Sequence, residues 1–132
     1  MPGLNPRFMK KHIVLSSVLA AILCGCATIP PSHLSCAPDV RKMSYADDRL
    51  FRDVFGGIGG VGFADEVMFP NAKEKKITKI EAIVPYDNHK VGIERWTVQH
   101  DGQDASSYIV RFIPDGHGGT TFQTQKDDGT VK

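Results

Sequence analysis

The stretch "KVGIERWTVQHDGQDASSYIVRFIP", residues 90–114, alternates apolar and polar side chains on either side of a turn-forming segment. Alternation with a period of two, in segments rich in β-branched and aromatic residues, is typical of strands that bury one face. The segments "KITKIEAIVPY" at 76–86 and "GTTFQTQK" at 119–126 have the same character, and turn-forming residues separate them from their neighbours. The sequence therefore predicts a four-stranded antiparallel β-meander.

The alternation also predicts which side chains share a face of this sheet. One face carries large apolar side chains and is expected to pack on a helix: Trp96, Val98, Tyr108, Val110, Phe112 and Phe122. The other face places Ile109 and Ile113 among Arg, Thr and Gln residues, which is typical of a sheet that is wet on one side.

Upstream, "SYADDRLFRDVFGG" at 44–57 has the spacing of an amphipathic helix. Ser44 followed by Asp47 resembles a capping box at its start, and Gly56 and Gly57 supply its end. The apolar positions of this segment fall on one helical face: Ala46, Leu50, Phe51, Val54 and Phe55. The predicted fold class is α+β, with one N-terminal amphipathic helix packed on the four-stranded meander.

Residues 57–62, "GIGGVG", match the pattern GxGxxG of dinucleotide-binding proteins. In those proteins the glycines follow a strand, whereas here they follow a predicted helix in a domain too small for the required parallel sheet. We interpret the segment as a flexible connection into "FADEVMFP" at 63–70, whose Phe63, Val67, Met68 and Phe69 are expected to return to the core. The alternative is a mobile contact surface.

The N-terminal segment predicts export. Arg7, Lys10 and Lys11 precede "IVLSSVLAAIL" at 13–23, a run of 11 residues that is too short to span a bilayer as a helix. A basic segment followed by a short apolar run is typical of a signal peptide, here residues 1–25. "MKKHIVL" makes a compact start, so we expect translation to begin at Met9.

Leu23, Cys24, Gly25 and Cys26 resemble the bacterial lipobox, and the resemblance covers residues 9–27. It implies that Cys26 is lipidated and becomes the mature N-terminus, which makes membrane lipid the first partner. Ala27 stands where an Asp would retain such a protein in the inner membrane, so the resemblance implies the outer membrane. The alternative, a CxC metal or redox pair, lacks a second set of ligands downstream.

Residues 26–39 contain Pro30, Pro31 and Pro38, and they predict a lipidated cysteine followed by an extended, semi-rigid tether. The folded domain is then expected to occupy residues 40–132. Within the tether, Cys36 is the one thiol left after processing and lipidation. An odd cysteine in an oxidising compartment predicts an intermolecular disulfide, and the alternative is an inert, partly covered thiol.

Length and charge limit the function further. The chain has 132 residues, which fits one small domain. Of its 16 basic residues three lie in the signal peptide, so the remainder has 13 basic and 15 acidic side chains. A slight acidic excess argues against nucleic acid as a partner.

No pattern predicts catalysis, a metal or a cofactor. The mature histidines lack ligand spacing and are expected on the surface: His33, His89, His100 and His117. His117-Gly118-Gly119 resembles the oxyanion loop of lipases, but a nucleophile elbow is missing. Five carboxylates near the C-terminus are assigned to turns or to a solvated tail: Asp101, Asp104, Asp115, Asp127 and Asp128.

The elements W-x-V, Y-x-V-x-F and P-D-G-x-G-G-T within residues 96–122 resemble the C-terminal hairpins of small uncharacterised lipoproteins and exported proteins of proteobacteria. This resemblance implies the sheet and the envelope location, and it implies no catalytic residue.

We therefore expect a lipoprotein anchored in the outer membrane, with its domain facing the periplasm, that acts as an interaction or envelope-assembly protein. Its partner would be another envelope protein or a second copy of itself. The alternative is a small-ligand-binding module of the cell envelope, and an enzyme is the least favoured class.

Overall fold

The computed structural model describes residues 33–102 and 104–132, and in it the alternating C-terminal segments form strands. In chain order the strands are β1 (Leu34–Cys36), β2 (Lys75–Val84), β3 (Gly92–His100), β4 (Asp104–Pro114) and β5 (Thr120–Lys126). They form one sheet in the order β1-β2-β3-β4-β5, and β2 to β5 are antiparallel neighbours. With helices before β2, the domain belongs to the α+β class, as predicted.

A fifth strand, β1, corrects the prediction of four antiparallel strands and makes the sheet mixed. β1 runs parallel to β2, with Leu34 opposite Lys75 and Cys36 opposite Ile77. It lies within residues 26–39, so the folded part begins by Leu34 and not at residue 40. Leu34 is only 8% exposed, and burying a leucine stabilises the fold by about 1.5–3 kcal/mol, which favours a packed strand over an extended tether.

Between residue 33 and the C-terminus, three helices take the place of the single predicted one: α1 (Pro38–Arg41), α2 (Asp48–Gly56) and α3 (Val61–Met68). Pro38 lies in the first turn of α1, where its missing N–H is not needed. α2 is capped by Asp47, whose carboxylate accepts the N–H of Leu50 at 2.8 Å, and not by Ser44 as predicted. The predicted apolar stripe of α2 does face the core.

The pairing of β2 with β3 is interrupted twice, between Ile77 and Lys79 and between Ala82 and Val84. An extra residue at such a bulge shifts the alternation by one position and bends the strand. Ile77 and Ile80, three residues apart, are consequently both fully buried. The sheet is curled, and strands that are bent by bulges allow such curvature.

The core lies between the helices and one face of the sheet. Trp96, at the centre of β3, is fully buried and stacks on Phe51 of α2 with ring centroids 5.0 Å apart. Stacked aromatic pairs contribute beyond the area that they bury. The other fully buried apolar side chains around this pair are Val54, Val61, Ile77, Ile80, Val98, Tyr108, Val110 and Phe112.

The opposite face of the sheet is less exposed than predicted, because the C-terminal tail folds onto it. Arg95 donates from Nε to a carboxylate oxygen of Asp127 at 2.7 Å and from Nη2 to the carbonyl of Val131 at 2.6 Å. Ile109, on the same face, is fully buried. The tail is thus attached at Asp127, which corrects its assignment as solvated, while Asp128 is exposed as expected.

A buried carboxylate fixes the segment between α1 and α2. Glu94, on the core face of β3, accepts hydrogen bonds from the Ser44 hydroxyl at 2.9 Å, the Tyr45 N–H at 2.6 Å and the Trp96 indole N–H at 2.8 Å. Burial raises the pKa of Glu94, and these three donors oppose the increase by stabilising the charged form. The hydroxyl of Ser44 therefore anchors a loop to the sheet.

The glycine-rich segment is a tightly packed corner between α2 and α3, which corrects its interpretation as a flexible connection. A Cβ on Gly60 would lie 2.3 Å from the carbonyl oxygen of Val54, and one on Gly62 would lie 2.4 Å from that of Phe55. Neither distance is physically accessible, so the two helices approach closely only because these residues lack side chains. Helix packing accounts for the GxGxxG pattern.

We expect Gly60→Ala to destabilise the domain by about 2–3 kcal/mol, since the added methyl group meets a backbone oxygen that cannot rotate away. Urea unfolding followed by the fluorescence of Trp96, the single tryptophan of the chain, measures the change. Gly56→Ala is the matched control, because no atom lies within 4 Å of the added Cβ. Alanine favours helix, so the control should be unchanged or up to about 1 kcal/mol more stable. Equal losses in the two variants would contradict the packed corner.

Candidate functional site

One carboxylate of α3 points into the domain. Asp65 lies one turn after Val61, on the same side of the helix, and both side chains are fully buried. Removing a carboxylate from water is costly unless hydrogen-bond donors and positive charge replace the water. The surroundings of Asp65 therefore decide whether this helix can pack on the sheet.

Three strands supply the partners of Asp65. His100, at the end of β3, places Nε2 2.7 Å from Oδ1 and 2.9 Å from Oδ2. Tyr108 of β4 donates its hydroxyl to Oδ1 at 2.6 Å, and Nζ of Lys75, at the start of β2, lies 3.3 Å from Oδ2. Lys75 also pairs with Glu66 of α3 at 2.6 Å. We call these five residues the Asp65 cluster.

The donors in the Asp65 cluster are well defined. A carboxylate only accepts hydrogen bonds, so Nε2 of His100 carries a hydrogen and donates a hydrogen bond to Asp65. Burial, together with the hydrogen bond to Asp65, raises the pKa of Tyr108, and its hydroxyl remains a donor. The other ring nitrogen of His100, Nδ1, is buried and finds no hydrogen-bond partner in the described part of the chain.

The position of His100 corrects its assignment to the surface. Its side chain is 6% exposed, and its ring lies against Phe69 with centroids 4.3 Å apart. The signal was available in β3, because His100 continues the alternation of Trp96 and Val98 toward the core face. The other three histidines of the described residues are exposed, as predicted: His33, His89 and His117.

An aspartate bonded to a histidine is also found in acid–base sites, but the geometry here favours a structural role. Asp65 has no exposed area, both of its oxygens are occupied, and His100 is almost fully buried. A general base must come within hydrogen-bond distance of a substrate proton. We therefore assign the Asp65 cluster the role of holding α3 on the sheet.

We expect Asp65→Asn to destabilise the domain by about 3–5 kcal/mol, because it leaves Lys75 and His100 buried without their shared carboxylate. Tyr108→Phe removes one of the donors and should cost about 1.5–3 kcal/mol, so it remains measurable if Asp65→Asn does not fold. The exposed Asp53→Asn is the control and should change stability by less than about 0.5 kcal/mol. Urea unfolding that gives the same midpoint for Asp65→Asn and Asp53→Asn would refute the role of the cluster.

The side of α3 that faces away from Asp65 is apolar and exposed. Phe63 and Val67, one helical turn apart, are 44% and 68% exposed, and Met68 at the end of the helix is 44% exposed. Ile58, in the corner before α3, is 86% exposed. We call Ile58, Phe63, Val67 and Met68 the α3 surface.

The α3 surface corrects the prediction that Phe63, Val67 and Met68 return to the core. α3 turns the opposite side inward, because Asp65 has its partners there. Of the four residues that were expected in the core, Phe69 alone is half-buried, and it lies against the ring of His100. The exposed apolar side chains are therefore a consequence of how the Asp65 cluster orients the helix.

Two cavities lie beside these elements. The first, about 480 Å³, is lined by Asp47, Asp115 and other polar residues of α2 and the strand turns. Two of its three carboxylates already have backbone partners, since Asp47 caps α2 and Asp115 accepts the N–H groups of His117 and Gly119. The second, about 360 Å³, is lined by residues at the end of α3 and around the β3–β4 turn: Met68, Phe69, Pro70, Asn71, Ala72, His100, Asp101 and Asp104.

The carboxylate of Asp101 lies in a turn but bonds to a part of the chain that is distant in sequence. It accepts the backbone N–H groups of Lys73 and Glu74 at 3.0 and 2.9 Å, and so attaches the β3–β4 turn to the chain that leads into β2. Asp115 bonds within its own turn, as predicted for all three turn carboxylates, and Asp104 begins β4 as an exposed residue.

Of the two cysteines predicted to be modified, the structure describes Cys36 and not Cys26. The predicted lipidation site, Cys26, lies outside the described residues. Cys36 is a free, half-buried thiol in β1, and its Sγ lies 3.6 Å from the carbonyl of Ala37. Burial raises the pKa of the Cys36 thiol, while Arg41 opposes the shift, so less of the reactive thiolate is present at neutral pH.

Within residues 33–102 and 104–132, no three His, Cys, Asp or Glu side chains are arranged to hold a metal ion. None of the helices in this range has the length and hydrophobicity that crossing a membrane requires. Comparison of the chain with protein-family models, with curated proteins and with solved structures finds no match.

Proposed function

We propose that this protein is a lipoprotein anchored in the outer membrane by Cys26, with its domain facing the periplasm, and that it acts by binding and not by catalysis. The anchor is supported by the lipobox resemblance of residues 23–26. The binding role is supported by one observation, the α3 surface. Large apolar side chains grouped on an exposed helix are typical of protein or membrane contacts.

The arrangement of α3 supports a functional origin for this surface. A helix that serves only the stability of the domain turns its apolar side inward and its charges outward. α3 departs from this pattern on one side: Val61 is buried, but so is the charged Asp65, while the larger Phe63 and Val67 lie in solvent. Apolar side chains left in water beside a buried charge are typical of a surface that contacts a partner.

A small-ligand-binding module is the second candidate, and the cavity at the end of α3 favours it. Its volume of about 360 Å³ is at the lower end of the range for ligand pockets. Met68 and Phe69 would contact the apolar part of a ligand, and Asp101 and Asp104 lie at the same cavity. Met68 also belongs to the α3 surface, so the two candidate functions use adjacent surface.

The intermolecular disulfide at Cys36 stays a prediction. Cys36 lies in β1, at the edge of the sheet, and it is partly exposed. Its packing against the core and its raised thiol pKa both slow disulfide formation, which favours the alternative of an inert thiol. We therefore propose lipid as the main attachment and leave Cys36 out of the binding surface.

Cys26→Ser should abolish incorporation of a palmitate analogue and leave an uncleaved precursor, because the acyl chains require the cysteine sulfur. Labelling in a bacterial host followed by electrophoresis measures both results. Cys36→Ser is the matched control and should label and mature like the wild-type chain. Continued labelling of Cys26→Ser would overturn the lipoprotein proposal.

A photoreactive amino acid at Val67 should form covalent adducts on irradiation of intact cells, since the α3 surface is proposed to be in contact with a binding partner. The same amino acid at Gln123, an exposed position on β5, is the control and should react mainly with water. Intact-protein mass spectrometry detects adducts with either protein or lipid. Equal adduct yields at the two positions would argue against a binding role for α3.

A further inference from the structure

We propose that the α3 surface rests against the lipid bilayer in which the protein is anchored, with Phe63 and Val67 inserted at the boundary between headgroups and acyl chains. The inference depends on the proposed lipid anchor at Cys26, and it assigns the partner of the α3 surface. The occupant is thus the membrane itself, and not a second protein.

The first support is the length of chain between the anchor and the sheet. Eight residue steps separate Cys26 from Leu34, so by covalent geometry alone Leu34 lies within about 26–29 Å of the lipidated residue. Leu34 packs beside α3, since its Cδ2 is 3.2 Å from the point where Gly62 would carry a Cβ. The chain therefore enters the domain next to the first turn of α3, which puts this helix within reach of the membrane.

The second support is the chemistry of the exposed side of α3. Phe63 and Val67 lie one turn apart, with Ile58 in the preceding corner, and an aromatic residue beside aliphatic ones is typical of helices that lie in a membrane interface. Of the two acids of α3, one is removed from the surface by burial, and the other is 42% exposed but paired with a lysine. Asp65 is buried among its donors, and Glu66 pairs with Lys75 at 2.6 Å.

The size of the α3 surface argues against a second protein as its occupant. A stable protein–protein interface uses roughly 20–30 residues of every kind on each side, and the four apolar side chains of the α3 surface do not reach that number by themselves. A small apolar surface is sufficient for contact with the bilayer, because the lipid anchor already confines the domain to the membrane. The contact then only has to orient the domain.

The deciding experiment measures the depth of a nitroxide spin label at Val67. The acylated mature protein with Val67→Cys and Cys36→Ser is labelled and reconstituted in vesicles of phosphatidylethanolamine with a minor fraction of phosphatidylglycerol. Oxygen concentrates in the bilayer, whereas a water-soluble nickel chelate stays outside, so the ratio of their collision rates reports depth. The control carries the label at Gln123→Cys in the same Cys36→Ser background.

We expect the label at residue 67 to collide severalfold more with oxygen than with the nickel chelate, and the label at residue 123 to show the opposite preference. Equal nickel access at the two positions would overturn the inference, and so would protection from both reagents at residue 67, which indicates contact with protein. Failure of the anchor is recognised separately, because the protein would then not float with the vesicles. Unchanged Trp96 fluorescence shows that the labelled variants are folded.

Discussion

The buried carboxylate of Asp65 is the interaction on which the arrangement of α3 depends. It accepts hydrogen bonds from His100 and Tyr108 and pairs with Lys75, so one side chain joins the helix to three strands. Buried charge is tolerated only while its partners stay in place. Because each residue advances a helix by about 100°, a shift of α3 by one position would move Asp65 away from all of them. The cluster therefore holds α3 in a single rotation about its axis.

That rotation decides what α3 presents to its surroundings. With Val61 and Asp65 inward, Phe63 and Val67 necessarily lie outward, whatever their hydrophobicity. The glycines of the preceding corner bring α2 close enough to hold the start of α3 as well. The burial of the Asp65 charge and the exposure of the apolar side chains thus both result from the same rotation of α3. Conflicts between local pattern and global position concentrate at functional sites, which is why we propose a binding function for the α3 surface.

Local signals in the sequence predicted most of the sheet, and they did not predict the site. Strands β2 to β5 each turn one face to the core, so their alternation is visible in the sequence, and in β3 it extends to the buried His100. β1 has three residues, which is too short for a pattern, and its pairing with β2 joins distant parts of the chain. In α3 apolar residues lie on both sides, so periodicity could not define its rotation. Contacts from three strands define it instead.

Strand β1 also changes the mechanics of the proposed anchor. Because Leu34 is already part of the sheet, seven residues, 27–33, and not the whole of 27–39, connect the lipidated cysteine to the folded domain. A short connection limits the orientation of a domain as well as its distance from the membrane. Cys36 belongs to the same strand, and a bond to another chain would have to form at a thiol that is partly covered by the core against which it packs. The packing of β1 thus favours a single lipid attachment, which orients the domain, and it disfavours a pair of chains linked through their thiols.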